Sequence, residues 1–376
     1  MTVVRPNSIA GINSITVQTG QALNIHDADG NLIRNIVSAT GVGTFYALSV
    51  GTAGTVKGLL PSQVENTGAD IILGNTYHLM LRPGVSTIES FGGLHKFMSW
   101  RGPILTDSGG FQVMSLAGLR KVDDKGITFR AHTDGSSYRL TPEKAISIQK
   151  GLNSDISMVL DECVSYPADF KNASNAMKRS SQWASRCKSA FEDTPGKGFF
   201  GIIQGSTYED LLIESLKFLE DCNFDGVAIG GLAVGEGQKI MLDVLKFLAP
   251  QLPFVKPHYL MGVGTPDDII KAVALGVDMF DCVLPTRSGR TGRVYTPNGH
   301  INIKNSVYRD SKLPLQENCE CRACKNFSRA YIHHLFRCKE MLGPILCTIH
   351  NLYFYQTLMR DIRLSIEHKN FDYFQL

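Results

Sequence analysis

The sequence predicts a (β/α)8 barrel of the TIM type with a smaller C-terminal subdomain appended to it. Three observations support this: eight short apolar runs between residues 44 and 283, helix-patterned segments between them, and a change of rhythm near 294. The runs are TFYALSV (44–50), DIILGN (70–75), GPILTD (102–107), ISMVLDE (156–162), FFGIIQG (199–205), DGVAIGG (225–231), YLMGVG (259–264) and VDMFDCV (277–283). They are continuously apolar rather than alternating, as strands buried on both faces are. A doubly wound open sheet is the other architecture with this alternation, but eight strand–helix repeats suit the barrel.

The helix starts are legible. Thr141-Pro142-Glu143 and Thr265-Pro266-Asp267-Asp268 each place a capping hydroxyl, a proline where no N–H is needed, and carboxylates at the positive end of the helix dipole. Gly276 closes the second helix, and Ser206 or Thr207 is expected to open YEDLLIESLKFLEDC. Beyond 292, GRVYTPNGHINIKN reads as a hairpin turning at Asn298-Gly299. Two helical patterns follow, 327–342 and 344–368, divided by Gly343-Pro344. Three regions are expected: strands at 1–43 packing on the barrel, the barrel at 44–293, and a metal-stapled helical subdomain at 294–376.

Composition is that of a soluble globular chain: 376 residues, 43% apolar, mean hydropathy −0.04. No run of 18 apolar residues suggests a membrane span, and the N-terminus lacks the layout of a secretory signal. Nine cysteines, an odd number, point to a reducing compartment, the cytoplasm, with thiols as core fillers or metal ligands. Charge is uneven. Residues 287–339 hold eleven Lys/Arg against Asp310, Glu317 and Glu320, a local +8 in a chain of net +3. Such a block suits a polyanion, nucleic acid being the commonest, although a solvated basic face has the same composition.

CECRAC sets Cys319, Cys321 and Cys324 close enough to share one cation, with a fourth ligand still to be supplied. His350 is the leading candidate and His333 and His334 compete, while Cys338 and Cys347 read as core. The expected ion is a structural Zn²⁺, one per subunit, stapling a segment with little apolar area of its own.

In a barrel, residues past the strand C-termini converge on one mouth. Asp107, Asp161, Gln204, Gly231 and Asp281 all stand at such ends. A carboxylate there can attack an anomeric carbon while a second moves protons, the logic of glycosyl transfer with retention. An acidic acceptor, an amide and glycine-loop N–H groups (GGLAVGEG, 230–237) match the edge of a guanine.

Longer motifs carry a resemblance: GNTYHLMLRPG (74–84), TDSGGFQVMSL (106–116), DECVSYP (161–167), GGLAVGE (230–236), MGVGTPDDII (261–270), MFDCVLPTRSGRTG (279–292), CECRAC and SRAYIHHL (328–335). From residue 51 onward the chain resembles the bacterial tRNA-guanine transglycosylases, the base-exchange enzymes of queuosine biosynthesis. The resemblance implies a zinc-bearing barrel that replaces guanine at the wobble position of a tRNA anticodon loop. It implies Asp281 as the nucleophile on ribose C1′, forming a covalent RNA–enzyme intermediate, and Asp107 as general acid/base and base contact. Asp161 would read the N–H edge of guanine, with Gln204 and the Gly231 backbone at its O6 side and the Leu232 carbonyl, backed by Glu236, on an aminomethyl group. Arg287 and Arg290 would grip the RNA, and Cys319, Cys321, Cys324 and His350 would hold zinc. Val234 and Cys163 match the form that takes 7-aminomethyl-7-deazaguanine (preQ1) rather than queuine. A homodimer is implied, with Lys57 and Glu340 at positions that can pair across it. Phe111 stands where a tyrosine is frequent, and residues 1–43 match poorly. Two rivals remain: a non-catalytic RNA-binding partner subunit, which would lack the nucleophile, and a barrel glycoside hydrolase, which would leave the basic block unexplained.

Overall fold

The computed structural model describes residues 53–116, 120–368 and 370–371, together with the backbones of three strands at Leu23–His26, Leu32–Val37 and Phe45–Ser49. The first two strands pair antiparallel. The rest of the expectation for residues 1–43 lies outside the described residues.

Eight parallel strands close into a barrel: β1 (Phe45–Ser49), β2 (Ile71–Gly74), β3 (Ile104–Thr106), β4 (Ile156–Met158), β5 (Gly198–Ile203), β6 (Gly226–Ile229), β7 (His258–Leu260) and β8 (Met279–Cys282). Their order round the barrel is their order in the chain, and β8 closes on β1 through Met279 opposite Phe45. Six fall inside the apolar runs and two, β5 and β7, begin one residue before theirs; the open sheet is excluded. The runs are continuous because both faces are covered: Ile72, Ile104, Leu105, Ile203, Ile229, Leu260 and Phe280 all lie in one core with the surrounding helices.

Three strand starts share a device the sequence shows only in retrospect. Asp155, Asp225 and Asp278 each precede a strand and reach across to the first residues of the neighbouring one. Their carboxylates accept the N–H groups of Ile104, Phe199 and His258 at 2.8 Å each. Their own N–H groups donate to the carbonyls of those same residues. An aspartate therefore caps the ladder where it would otherwise end on an orphan donor.

Thr141 and Thr265 cap their helices, Pro142–Leu152 and Pro266–Ala274, as expected; Thr265 forms a reciprocal capping box with Asp268. The helix after β5 runs Glu209–Cys222 and its N-cap is Tyr208, not Ser206 or Thr207. Ser206 instead takes a left-handed conformation (φ 55°) directly past the strand end.

Between β3 and β4 the chain inserts a three-stranded antiparallel sheet, Arg120–Asp123, Gly126–Arg130 and Ser137–Leu140, which the strand–helix rhythm concealed. One stripe of the long helix Phe170–Ala190 clamps its first turn. Trp183 Nε1 and Arg186 Nη1 donate to the Asp124 carbonyl at 2.9 Å, and Arg179 Nε lies 3.4 Å from the Asp124 carboxylate. These three residues share a helix face because they lie four and three positions apart.

In the C-terminal region the hairpin is present at Arg293–Thr296 and Gly299–Asn302, but Pro297-Asn298 form its loop and Gly299 opens the second strand. The helices are Arg329–Arg337 and Leu342–Glu367, so Gly343-Pro344 do not divide them. Pro344 sits in the first turn, where a missing N–H costs nothing. A second apolar cluster gathers Val294, Ile303, Leu315, Ile332, Leu335 and Leu346 around the three CECRAC cysteines.

Candidate active site and metal centre

Asp107 leaves β3 directly into the barrel mouth and is buried. The helix Thr76–Leu81 starts beside it, and its cap serves two partners. Asn75 accepts the His78 N–H through Oδ1 and donates through Nδ2 to Asp107 Oδ2 at 2.8 Å. The Thr76 N–H donates to Asp107 Oδ1, also at 2.8 Å. Gly109 (φ 81°) follows, and a Cβ there would lie 3.3 Å from the Tyr77 backbone nitrogen, so the turn needs glycine. Burial pushes the Asp107 carboxyl up to about 7 against the hydrogen bond from the Thr76 backbone, and the charge of Asp281 raises it further.

That last influence places the two aspartates in one mouth. Asp281 lies within β8, where its Oδ1 accepts the Tyr259 hydroxyl at 2.6 Å and the Gly262 N–H at 2.8 Å. Tyr259 is fully buried on β7, and burial, reinforced by the charges of Asp281 and then Asp107, holds its hydroxyl protonated. Two donors on one oxygen orient the Asp281 carboxylate.

Opposite them, Asp161 and Gln204 face each other, Gln204 Nε2 donating to Asp161 Oδ2 at 2.7 Å. Burial raises the Asp161 carboxyl to about 6, opposed by the hydrogen bonds from Gln204 and Ser108. Glycines give this pocket its floor. A Cβ on Gly230 would meet Gln204 Nε2 at 2.7 Å, one on Gly231 (φ 71°) would meet Gln204 Oε1 at 2.9 Å, and one on Gly110 would meet the Asp161 carbonyl at 2.8 Å. Leu232 is buried in the same loop. Glu236 accepts the N–H groups of Ala233 and Val234, so the Leu232 carbonyl, antiparallel to the Ala233 N–H across a trans peptide, points away from Glu236. Cys163 and Val234 share the wall of a cleft of about 570 Å³ with the exposed Phe111 and Asn175 and the largely enclosed Arg179. Burial pushes the Cys163 thiol up to about 12.

Arg287 and Arg290 lie on a helix, Leu284–Thr291, rather than a loop. Burial, and then the charge of Arg287, lower the Arg290 pKa, so the two guanidinium groups share one flank. Gly289, between them, faces inward, where a Cβ would stand 2.7 Å from the backbone nitrogen of Thr348. This close approach is why glycine interrupts the arginine row. Buried Asn351, on the same long helix as Thr348, donates to the carbonyls of Pro285 and Arg293 and accepts the Tyr295 N–H. Asn75, Thr76, Tyr259, Ser108 and Asn351 were not singled out from the sequence. Each is an ordinary polar residue that acquires its role here through a partner at least 22 positions distant.

Cys319, Cys321, Cys324 and His350 meet with their ligand atoms all within 4.8 Å of one another. The three sulfurs stand 3.7, 3.6 and 3.3 Å from His350 Nδ1. A tetrahedral zinc with ordinary bond lengths separates sulfur and nitrogen ligands by about 3.6 Å, so the donor set fits. His350 Nε2 lies 2.8 Å from the Tyr295 carbonyl, which can only accept; the proton is therefore on Nε2 and Nδ1 presents its lone pair to the ion. The competitors are elsewhere: His333 bonds the Ile303 carbonyl and His334 lies beside Cys338. Cys347 is buried as expected, whereas Cys338 is exposed at a helix end and is not core.

The sequence matches a family model described as "Queuine tRNA-ribosyltransferase" over residues 35–375. The chain belongs to the queuine tRNA-ribosyltransferase family. It is 57% identical over 319 residues to a protein of that name from Granulibacter bethesdensis, covering 85% of this chain and 84% of the relative. It is 56% identical over 328 residues to the one from Jannaschia sp., covering 87% of each. It is 52% identical over 353 residues to the one from Ruegeria pomeroyi, covering 93% and 94%. The family is one of transferases, which sets aside the glycoside hydrolase reading. No helix among the described residues is long and apolar enough to cross a membrane.

Proposed function

We propose that this family member exchanges guanine 34 of a tRNA anticodon for 7-aminomethyl-7-deazaguanine through a covalent Asp281–ribose intermediate. The single observation that supports the reading most is the meeting of two differently held carboxylates, Asp107 and Asp281, in one mouth with the hydrogen-bonded Asp161–Gln204 pair. Asp281, oriented by Tyr259 and Gly262, attacks C1′ of the ribose as the C1′–N9 bond breaks. The departing guanine takes the proton of Asp107, which is partly protonated near neutral pH because its carboxyl sits at about 7. The incoming base gives its N9 proton to Asp107, attacks C1′ and displaces the Asp281 carboxylate. Two inversions leave net retention.

Asp161 accepts from the N1 and N2 hydrogens of guanine, while the Gln204 amide and the Gly231 N–H serve its O6 side. The Leu232 carbonyl accepts from the aminomethyl group, and Cys163 with Val234 limits that substituent to a small one. Arg287 and Arg290 bind backbone phosphates, holding the wobble nucleotide splayed out over Asp281. The Cys3His group holds a structural zinc, one per subunit, and no step of the exchange runs through it. The enzyme acts as a homodimer; the exposed Leu60, three residues from Lys57, and Met341 and Leu342, which follow Glu340 in the chain, support such an interface.

The test is incorporation of labelled guanine into unmodified tRNA. Wild type is expected to incorporate label and to release it when 7-aminomethyl-7-deazaguanine is added, while Asp281→Asn incorporates none. No incorporation by wild type would retain only the RNA-binding subunit reading, and equal incorporation by the variant would move the nucleophile elsewhere.

A further inference from the structure

We propose that Arg179 is a positioning residue for the base pocket, its guanidinium pairing with Glu162 so that the adjacent Asp161 stays an acceptor turned toward Gln204. The proposal rests on the reading of Asp161 as the guanine acceptor and deepens it. Arg179 Nη1 contacts Glu162 Oε2 directly, and both side chains are largely enclosed, 21% and 12% exposed. The other side of the same guanidinium reaches Asp124 in the inserted sheet, so the helix Phe170–Ala190 ties that sheet to the pocket. The Ser180 hydroxyl, next on the helix, accepts the Glu162 N–H at 2.9 Å and fixes the backbone at the same point.

The consequence is electrostatic. Burial is the main reason the Asp161 carboxyl sits at about 6, and the charge of Glu162 adds to it. The titratable groups facing Asp161 are Glu162 beside it, Cys163 in the following turn and Cys187 on the long helix. Both thiols are pushed up to about 12 and stay neutral through the physiological range. Among the described residues, Glu162 is the neighbouring charge found to act on Asp161, and Arg179 is its counter-ion. Without Arg179 an unpaired carboxylate stands next to Asp161, raising its pKa and removing the anion that guanine needs.

The experiment measures guanine KM and kcat from pH 6 to 8 for wild type, Arg179→Met, Glu162→Gln, the double variant Arg179→Met/Glu162→Gln, Arg179→Lys and Asp161→Asn. An upward shift of about one pH unit in Asp161 raises guanine KM about fivefold at pH 6 and about twofold at pH 7, and the difference vanishes by pH 8. Arg179→Met is expected to show this with kcat little changed, and Arg179→Lys to recover most of it. Adding Glu162→Gln should restore the wild-type profile, because the harmful charge is gone; a purely structural role for Arg179 predicts no such rescue. Glu162→Gln alone, which keeps the assay decisive if Arg179→Met folds poorly, should match or lower the wild-type KM at pH 6. A wild-type profile for Arg179→Met, a double variant no better than the single, or a raised KM in Glu162→Gln would each overturn the proposal. An unchanged guanine KM in Asp161→Asn would instead overturn the reading of the base acceptor on which it rests.

Discussion

Asp107 shows how one residue can be costly to the fold and useful to the chemistry. Its carboxyl sits at about 7 because it is buried, whereas in the unfolded chain it titrates near 4. The folded state therefore favours the protonated form, and stability falls as pH rises from the unfolded value toward the folded one. Asp107→Asn, neutral at every pH, is expected to be more stable than wild type. Its advantage should grow by about 2.5 kcal/mol between pH 5 and pH 7.5 and then level off. Thermal unfolding across that range checks it; an advantage that is flat or shrinks with pH would mean that burial does not govern this group. The same variant should lose guanine exchange, since it has no proton to move.

Among the elements, the long helix Leu342–Glu367 connects the Cys3His group to the Arg287/Arg290 flank proposed to bind RNA. His350 faces the cysteines, Thr348 abuts Gly289 between the two arginines, and Asn351 holds the carbonyl of Pro285 in the first turn of the arginine helix and that of Arg293 just past its end. Three residues within one turn thus couple the Cys3His group to the placement of Arg287 and Arg290. Cys321→Ala is expected to lose the metal, to unfold at lower temperature, and to raise tRNA KM about tenfold, worth about 1.4 kcal/mol, with guanine KM little changed. Metal analysis and the two KM values check this. Retained metal would remove the staple, and lost metal with an unchanged tRNA KM would uncouple it from the arginines.

For the whole molecule, the barrel separates stability from chemistry by its two ends. The aspartates that cap strand starts, Asp155, Asp225 and Asp278, lie at one end, and Asp107, Asp161 and Asp281 at the other. Outside the mouth, the exposed Leu60 and Met341, 64% and 79% accessible, are expected to be covered in the proposed homodimer. Burying each is worth about 1.5–3 kcal/mol, so Leu60→Asp/Met341→Asp is expected to run as a monomer in light scattering where wild type runs as a dimer. A monomeric wild type, or a variant that remains dimeric, would place the interface elsewhere or remove it.

Much of this architecture was legible in the chain itself. Eight buried runs with caps between them call for a parallel sheet covered on both faces, because continuous apolarity is stable only there; its closure into a barrel is seen in the tertiary structure. CECRAC announces a metal by thiol spacing, and carboxylates ending apolar runs announce a mouth. The inserted sheet at 120–140 is hard to read because its outer strands, Arg120–Asp123 and Ser137–Leu140, are largely exposed or partly buried, and the period of the larger fold masked them. Local sequence thus determined the strands, the caps and the kinds of group available, since these depend on neighbours a few residues apart. Only the tertiary structure decided which aspartate is held by Asn75, which by Tyr259, and which lies beside the Glu162–Arg179 pair. Burial and charge pairing arise between residues brought together from distant parts of the chain, and those contacts give identical carboxyl groups different work.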